Sequence, residues 1–316
     1  MSALPEITRP ASALVTPTFL DRAFEDPARV RELLDQGSPY KTLAAVHKDP
    51  PGVPAPPWFR NFWALGGKVV FPGAEDVFHN PLYIEAAKKL FGAEVVLPLA
   101  MMTNLNAPSP SAPPHLDLPF FRGAHQREVP SWLLAPMGYS GLFHAWAIPV
   151  ASALTWFYRG EGGEFEYWPD GFDEPSLRVS QMAGNQAVIA DNEYTYHRVC
   201  DVGSPDDFLP DNRVPYDATL ELEDDTWVIR DGAAELARYA RGEIRISVLW
   251  KAYCFEDQGA ADAFTSGDDE LTPQQIVDLF QDDLRSRGIA IDPPESLDGS
   301  DDWGRIIRET YGVSGY

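Results

Sequence analysis

From about residue 95 to 255 this chain is a succession of short apolar and aromatic runs. They read AEVVLPLAMMTNLNA, HAWAIPVASALTWFYRG, GEFEYWPDG, NQAVIADNEYTYHRVCDV and IRISVLWKAYCF. β-Branched and aromatic side chains suit the pleated, half-buried surface of a strand, and the Gly, Pro, Asn and Asp between the runs mark turns. The runs are too closely spaced to alternate with helices, which excludes a series of strand–helix–strand units. What remains is an antiparallel sandwich or barrel with helices at both ends of the sequence.

Three helices are marked by their ends. Asp26, Pro27 and Gly37 bracket the first. Asn80, Pro81 and Gly92 bracket the second, with Lys88 and Lys89 in its last turn. Thr272, Pro273 and Gly288 bracket the third, where Gln275 completes a capping box. In each, a polar cap precedes a proline at the first helical position and a glycine follows the last turn. Between the first two lies HKDPPGVPAPPWF, too proline-rich for a helix or a central strand.

Composition narrows the partners. With 316 residues, 44% of them hydrophobic, the chain can bury a sizeable core. Its formal net charge is −23, concentrated in ELEDD, EDQGAADAFTSGDDE and PPESLDGSDD. Such a surface repels phosphate backbones and anionic lipid, so neither nucleic acid nor a membrane surface is expected as partner. Cys200 and Cys254 sit in strand-like runs and make no disulfide scaffold, which fits a reducing compartment. The start has no basic region followed by an apolar core, and no apolar run approaches a bilayer's thickness. These features give the expectation of a cytoplasmic protein.

The most loaded stretch is SAPPHLDLPFFRG, which places His115 and Asp117 two apart behind a stiff, proline-rich approach. Alternate residues of an extended strand point to one side, so an imidazole and a carboxylate would project together as metal ligands do. A third ligand should come from a neighbouring strand. His197, in the strand-like run at the far end of the β-rich region, qualifies. His47 lies in the proline-rich connection and His79 just ahead of a helix cap. His125 lies in a polar stretch, while His144 reads as a core or pocket histidine; neither is excluded as a ligand. Two histidines and one carboxylate on a single face leave open positions on the metal, the arrangement of non-haem Fe(II) oxygenases.

Three further features bear on this. Arg245 and Ser247, again two apart, set a guanidinium fork beside a hydroxyl, a pairing suited to a terminal carboxylate. GEGGEFEYWPDG is a glycine-marked turn into an aromatic strand between the two histidines, and GNQAVIADNEYTYHRV leads from a glycine turn towards His197. Asn104 and Asn106 either face a cofactor or hold a turn. No G-x-S-x-G elbow, phosphate-binding glycine loop or H-E-x-x-H is present.

With these segments the chain, over roughly residues 95 to 255, resembles the Fe(II)/2-oxoglutarate-dependent dioxygenases. The GGE and G…YHRV segments are most similar to the prolyl-hydroxylase-like and phytanoyl-CoA-hydroxylase-like branches. The resemblance implies a double-stranded β-helix, or jelly-roll, cupin-like core within a mainly β fold with flanking helices. It implies iron bound by His115, Asp117 and His197, and the distal carboxylate of 2-oxoglutarate bound by Arg245 with Ser247. The reaction implied is hydroxylation of a C–H bond by O2, with 2-oxoglutarate converted to succinate and carbon dioxide. Asp117 fills the position that halogenating relatives leave for halide, so hydroxylation is expected over halogenation. A small-molecule substrate is the leading expectation. The alternatives are a residue of a protein, or a cupin-like metal- or ligand-binding protein without redox turnover.

One departure stands out. The family's arginine usually follows the distal histidine through a short connection, whereas here residues 203–243 intervene. We read them as an insertion with a short strand, TWVIR, and a short helix, AAELARYA. The insertion leaves Arg213 and Arg230 as rivals to Arg245, and Arg198 as a poorer one. The expected organisation is an N-terminal helical and proline-rich flank over 1–94, a catalytic core over 95–255 and a C-terminal helical extension over 256–316.

Overall fold

The computed structural model describes residues 9–10, 16–124, 129–180, 184–267, 270–299 and 302–312. The N-terminal third holds β1 (Thr18–Leu20), α1 (Pro27–Gln36), β2 (Tyr40–Thr42), α2 (Leu43–His47), β3 (Trp58–Leu65), β4 (Lys68–Val69), α3 (Glu75–Phe78) and α4 (Pro81–Phe91). The centre holds β5 (Val95–Asn106), α5 (Ser131–Ser140), β6 (Val150–Phe157), β7 (Phe165–Trp168), β8 (Leu177–Val179), β9 (Ala187–Ala190) and β10 (Tyr196–Val199). Then follow β11 (Thr219–Glu223), β12 (Thr226–Asp231), β13 (Ala234–Ala240), β14 (Arg245–Phe255), α6 (Gln258–Ser266), α7 (Pro273–Ser286) and α8 (Asp302–Thr310).

The three helices expected from their ends are present. Asp26 accepts from the amides of Ala28 and Arg29, Asn80 from Leu82, and Thr272 and Gln275 form the reciprocal capping box. α5 escapes sequence reading because Pro136 and Gly138 interrupt its helical pattern. No helix among the described residues is long and apolar enough to cross a membrane.

Two antiparallel sheets face one another. The large sheet runs β1-β9-β6-β14-β5-β3-β2-β11-β12-β13, with β4 on β3, and the small one runs β10-β7-β8. Residues 109–117 extend the small sheet along the free side of β10. Ser109 and Val202 exchange backbone hydrogen bonds, as do His115 and His197, and the amide of Ala112 donates to Val199. Pro113 and Pro114 have no N–H to give, so the ladder is intermittent there. From β5 the chain passes to 109–117, back to β6, over to β7 and β8, back to β9, over to β10 and finally to β14. This alternation between two sheets is the double-stranded β-helix. The run NQAVIADNEYTYHRV is therefore two strands in different sheets, joined by the crossing at residues 191–195.

β14 lies between β5 and β6 at the centre of the large sheet and shows how the two faces are used. Ile246, Val248, Trp250, Ala252 and Cys254 face a core shared with Val30, Leu33 and Leu34 of α1, Phe78 of α3 and Tyr83 of α4. Leu249, on the other face, joins Met102, Leu154, Trp156 and Val188 against Phe165 and Tyr167 of the small sheet. A separate core between α5, α7 and α8 is built on Phe143, Phe280, Trp303 and Tyr311.

The insertion differs from the sequence reading. Residues 234–240 are strand β13, not a helix, and β11, β12 and β13 form an antiparallel meander on the edge of the large sheet beyond β2. Alanine and leucine content favoured a helix, but Asp231-Gly232 begins a tight hairpin turn, with Gly232 at φ +56°. Pairing with β12 then decides the conformation.

The indole of Trp250 is fully buried, donates to the carbonyl of Phe78 at 2.9 Å and packs on Tyr83 with ring centroids 5.5 Å apart. It ties the large sheet to α3 and α4. Trp250→Ala is expected to lower unfolding free energy by about 3–5 kcal/mol in a urea or guanidinium melt. Trp250→Phe, which keeps most of the volume and loses one hydrogen bond, is expected to cost less; equal losses would contradict this packing account.

Candidate active site

The structure brings His115, Asp117 and His197 together. One ligand atom from each lies within 4.8 Å of the others, the one such cluster of three or more histidine, cysteine, aspartate or glutamate side chains among the described residues. His115 and His197 sit opposite each other, rings 4.5 Å apart, because their backbones exchange two hydrogen bonds of 3.0 Å. Asp117, two residues on, is fixed by its amide, which donates to the carbonyl of Asn192 at 2.9 Å.

Both imidazoles are oriented alike. Nδ1 of His115 lies 3.1 Å from the carbonyl of Pro113, and Nδ1 of His197 lies 2.9 Å from that of Thr195. A carbonyl only accepts, so both rings carry the proton on Nδ1 and leave Nε2 free as a donor to a metal. Burial, with His115 adding to it, pushes His197 down to about 4, which keeps this imidazole neutral. Burial alone would raise Asp117, but the Lys251 ammonium beside it holds its carboxyl well below the usual carboxylate range. Two imidazole nitrogens and one ionised carboxylate are a donor set that suits Fe(II) and leaves coordination positions open. The residues fit the ion.

Arg245 and Ser247 are both buried on the inner face of β14, and Ile246 between them points into the opposite core. The Arg245 guanidinium donates from Nε to the carbonyl of Gly163 at 2.6 Å and from Nη1 to Asn106 at 3.5 Å. Its Nη2 is buried without a partner, and no carboxylate among the described residues pairs with it. Burial pushes this arginine down to about 10. On β6, opposite Ser247, the buried indole N–H of Trp156 also lacks an acceptor. Unpaired buried donors are costly, and a cationic one most of all.

Gly162 and Gly163 explain the GGE segment. They sit at φ +68° and +73°, and a Cβ on Gly163 would lie 2.8 Å from the Tyr158 ring and 3.1 Å from the Arg245 side chain. Only glycine lets this turn present its carbonyl to the guanidinium.

The rivals to Arg245 are engaged or placed elsewhere. Arg230 belongs to a charge ladder on the meander, with Glu223, Glu221 and Glu235 as partners. Arg198 turns away from His197 to Glu166, 2.6 Å away. Arg213 is exposed, just after the turn 210–212. His47 ends α2 beside Arg60, His79 follows α3, and His144 lies in the turn 144–146; none joins the cluster. His125 falls outside the described residues.

Sequence reading missed four residues around the centre. Lys251, on the same face of β14 as Arg245 and Ser247, lies 2.7 Å from the outer oxygen of Asp117 and also pairs with Glu193. Asp191 stands beside Glu193, and burial raises both carboxyls, their mutual repulsion adding to the rise at Asp191 and that of Asp117 at Glu193. Arg60 on β3 donates to Asn104 at 2.7 Å, in register with Ser247 across β5. The signal for Lys251 was there: strand alternation from Arg245 puts a lysine on the inner face of an otherwise apolar central strand.

No protein-family model matches this sequence, and no curated protein matches it. Among solved structures the chain is similar to an oxidoreductase of the 2OG-Fe(II) oxygenase family from Burkholderia pseudomallei. That pair has 12% identity and a TM-score of 0.38, over 75% of this chain and 85% of the other. A Pseudomonas putida prolyl-4-hydroxylase gives 12% and 0.38, over 79% and 100%. HygX from Streptomyces hygroscopicus, solved with nickel, 2-oxoglutarate and hygromycin B bound, gives 9% and 0.38, over 76% and 84%. At these values the functional reading stands on the chain's own residues.

An arginine buried for a ligand rather than for the fold should be dispensable to stability. Arg245→Met is expected to be at least as stable as the unmutated protein in a ligand-free chemical melt. A loss of about 3 kcal/mol or more would make the guanidinium–Gly163 contact structural instead.

Proposed function

We propose that this protein is a non-haem iron, 2-oxoglutarate-dependent oxygenase that hydroxylates a C–H bond of a small molecule, releasing succinate and carbon dioxide. The observation that carries this reading is a conjunction inside one barrel. A face of two imidazoles and a carboxylate lies on the small-sheet side, and a buried arginine without a carboxylate partner among the described residues lies on the large-sheet side. A metal site alone would fit many proteins. The arginine adds a demand for a carboxylate-bearing co-substrate.

In this reading His115 and His197 offer Nε2 and Asp117 one oxygen to the ion. Ferrous iron held there, with 2-oxoglutarate and O2, would supply the oxidising power that side chains lack. Arg245 takes the distal carboxylate of 2-oxoglutarate, with Ser247 and Asn106 beside it and the Trp156 N–H as a further donor. Leu249, Met102 and Leu154 make the inner face beside it apolar. A compact substrate is favoured by the recess beside Asp117, which is lined by Leu118, Tyr139 and Tyr194 and closed on one side by Ala135 and Gly138 of α5.

Succinate formation under Fe(II), O2 and 2-oxoglutarate tests the reaction class. Replacing His115, Asp117 or His197 by alanine is expected to abolish it while circular dichroism reports an intact fold. Full activity in any one of the three contradicts the ligand set.

The co-substrate pocket is tested separately by titrating 2-oxoglutarate. Charge-assisted hydrogen bonds contribute roughly 1.5–3 kcal/mol each, so Arg245→Ala is expected to raise the requirement by about tenfold or more. Arg245→Lys should recover part of that loss, since a point charge cannot replace the planar fork. Arg213→Ala and Arg230→Ala should leave the requirement nearly unchanged; an effect there instead would move the pocket to the insertion.

A further inference from the structure

We infer that Lys251 is a positioning residue for the metal carboxylate, holding the outer oxygen of Asp117 so that only the inner oxygen is offered to the ion. This rests on the metal-centre reading above. The two oxygens of Asp117 have different surroundings. Oδ1 lies 3.7 Å from Nε2 of His197. Oδ2 lies 2.7 Å from the Lys251 ammonium. The ammonium in turn pairs with Glu193, and both Lys251 and Glu193 are more than nine-tenths buried.

These contacts close a ring. The Asp117 amide donates to Asn192, the residue next to Glu193, while the Asp117 carboxylate reaches Glu193 through Lys251. Backbone and side chain of Asp117 are thereby tied to the same turn, 191–195, that leads into the strand of His197. The root of Lys251 is equally fixed, because β14 is paired on both sides at this position, with Ala100 on β5 and Ser152 on β6. Rotation of the carboxylate about its Cβ–Cγ bond is the freedom this ring removes.

The chemical consequence is a count of ligand positions. A carboxylate free to turn can chelate an ion with both oxygens and occupy a position that a bidentate co-substrate or oxygen needs. With Oδ2 held by an ammonium, Asp117 stays monodentate and the open positions stay open. A leucine-sized side chain at 251 would complete the apolar wall begun by Leu249 and avoid burying an ammonium; the lysine is explained by what it holds.

The test uses Co(II), whose visible absorption reports coordination geometry, titrated into the intact protein and followed by calorimetry and absorbance without turnover. His197→Ala is the control for the metal centre and is expected to lose binding. Lys251→Met is expected to bind about tenfold or more weakly, the loss usual for a partner that orients a ligand, with shifted cobalt bands. Glu193→Gln, which leaves the Lys251–Asp117 pair but frees its far anchor, is expected to shift the bands in the same direction with a smaller loss. Unaltered affinity and spectrum in Lys251→Met overturn the proposal; if that variant does not fold, the same result in Glu193→Gln overturns it. Unchanged binding in His197→Ala would instead bring down the metal-centre reading itself.

Discussion

His115 and His197 each donate a backbone N–H to the other's carbonyl, at 3.0 Å in both directions. Through that exchange a proline-rich segment leaving the large sheet is stitched to the strand that returns to it much later in the chain. Everything else about the site follows from the register so set. It puts the two imidazoles side by side, tilted against each other, and brings Asp117 to the crossing at residues 191–195. It also directs all three ligand atoms inward, towards the strand that carries Arg245. A slip of one residue would turn each side chain to the opposite face.

The inner face of β14 then carries two buried cations with opposite fates. Arg245 is surrounded by neutral acceptors and keeps one nitrogen unpaired, while Lys251 is matched by two carboxylates. In a low-dielectric interior an unmatched charge is costly, whereas a matched one can belong to the framework. In the proposed reading, the strand from 245 through 247 and 249 to 251 lays out the site in order: carboxylate pocket, hydroxyl, apolar wall, metal-carboxylate clamp.

Much of this was legible in the sequence because it follows strand alternation. The period of two joined His115 to Asp117 and Arg245 to Ser247, and polar caps with proline and glycine marked α1, α4 and α7. What stayed hidden depends on contacts between distant segments. That Arg198 serves Glu166 and Arg230 serves the glutamates of the meander is decided by register across strands. β13 was misread because its composition favours a helix, whereas the turn at Gly232 and pairing with β12 make it a strand. Lys251 obeyed the same alternation as Arg245 but acquires meaning only once Asp117 and Glu193 are seen to meet it.

Anomalous diffraction from crystals grown with zinc as a redox-inert stand-in for iron tests the central claim most directly. One peak is expected within about 2.0–2.2 Å of Nε2 of His115, Nε2 of His197 and a single oxygen of Asp117. A metal held instead by the Asp191–Glu193 carboxyls, or by fewer than these three side chains, would contradict the account.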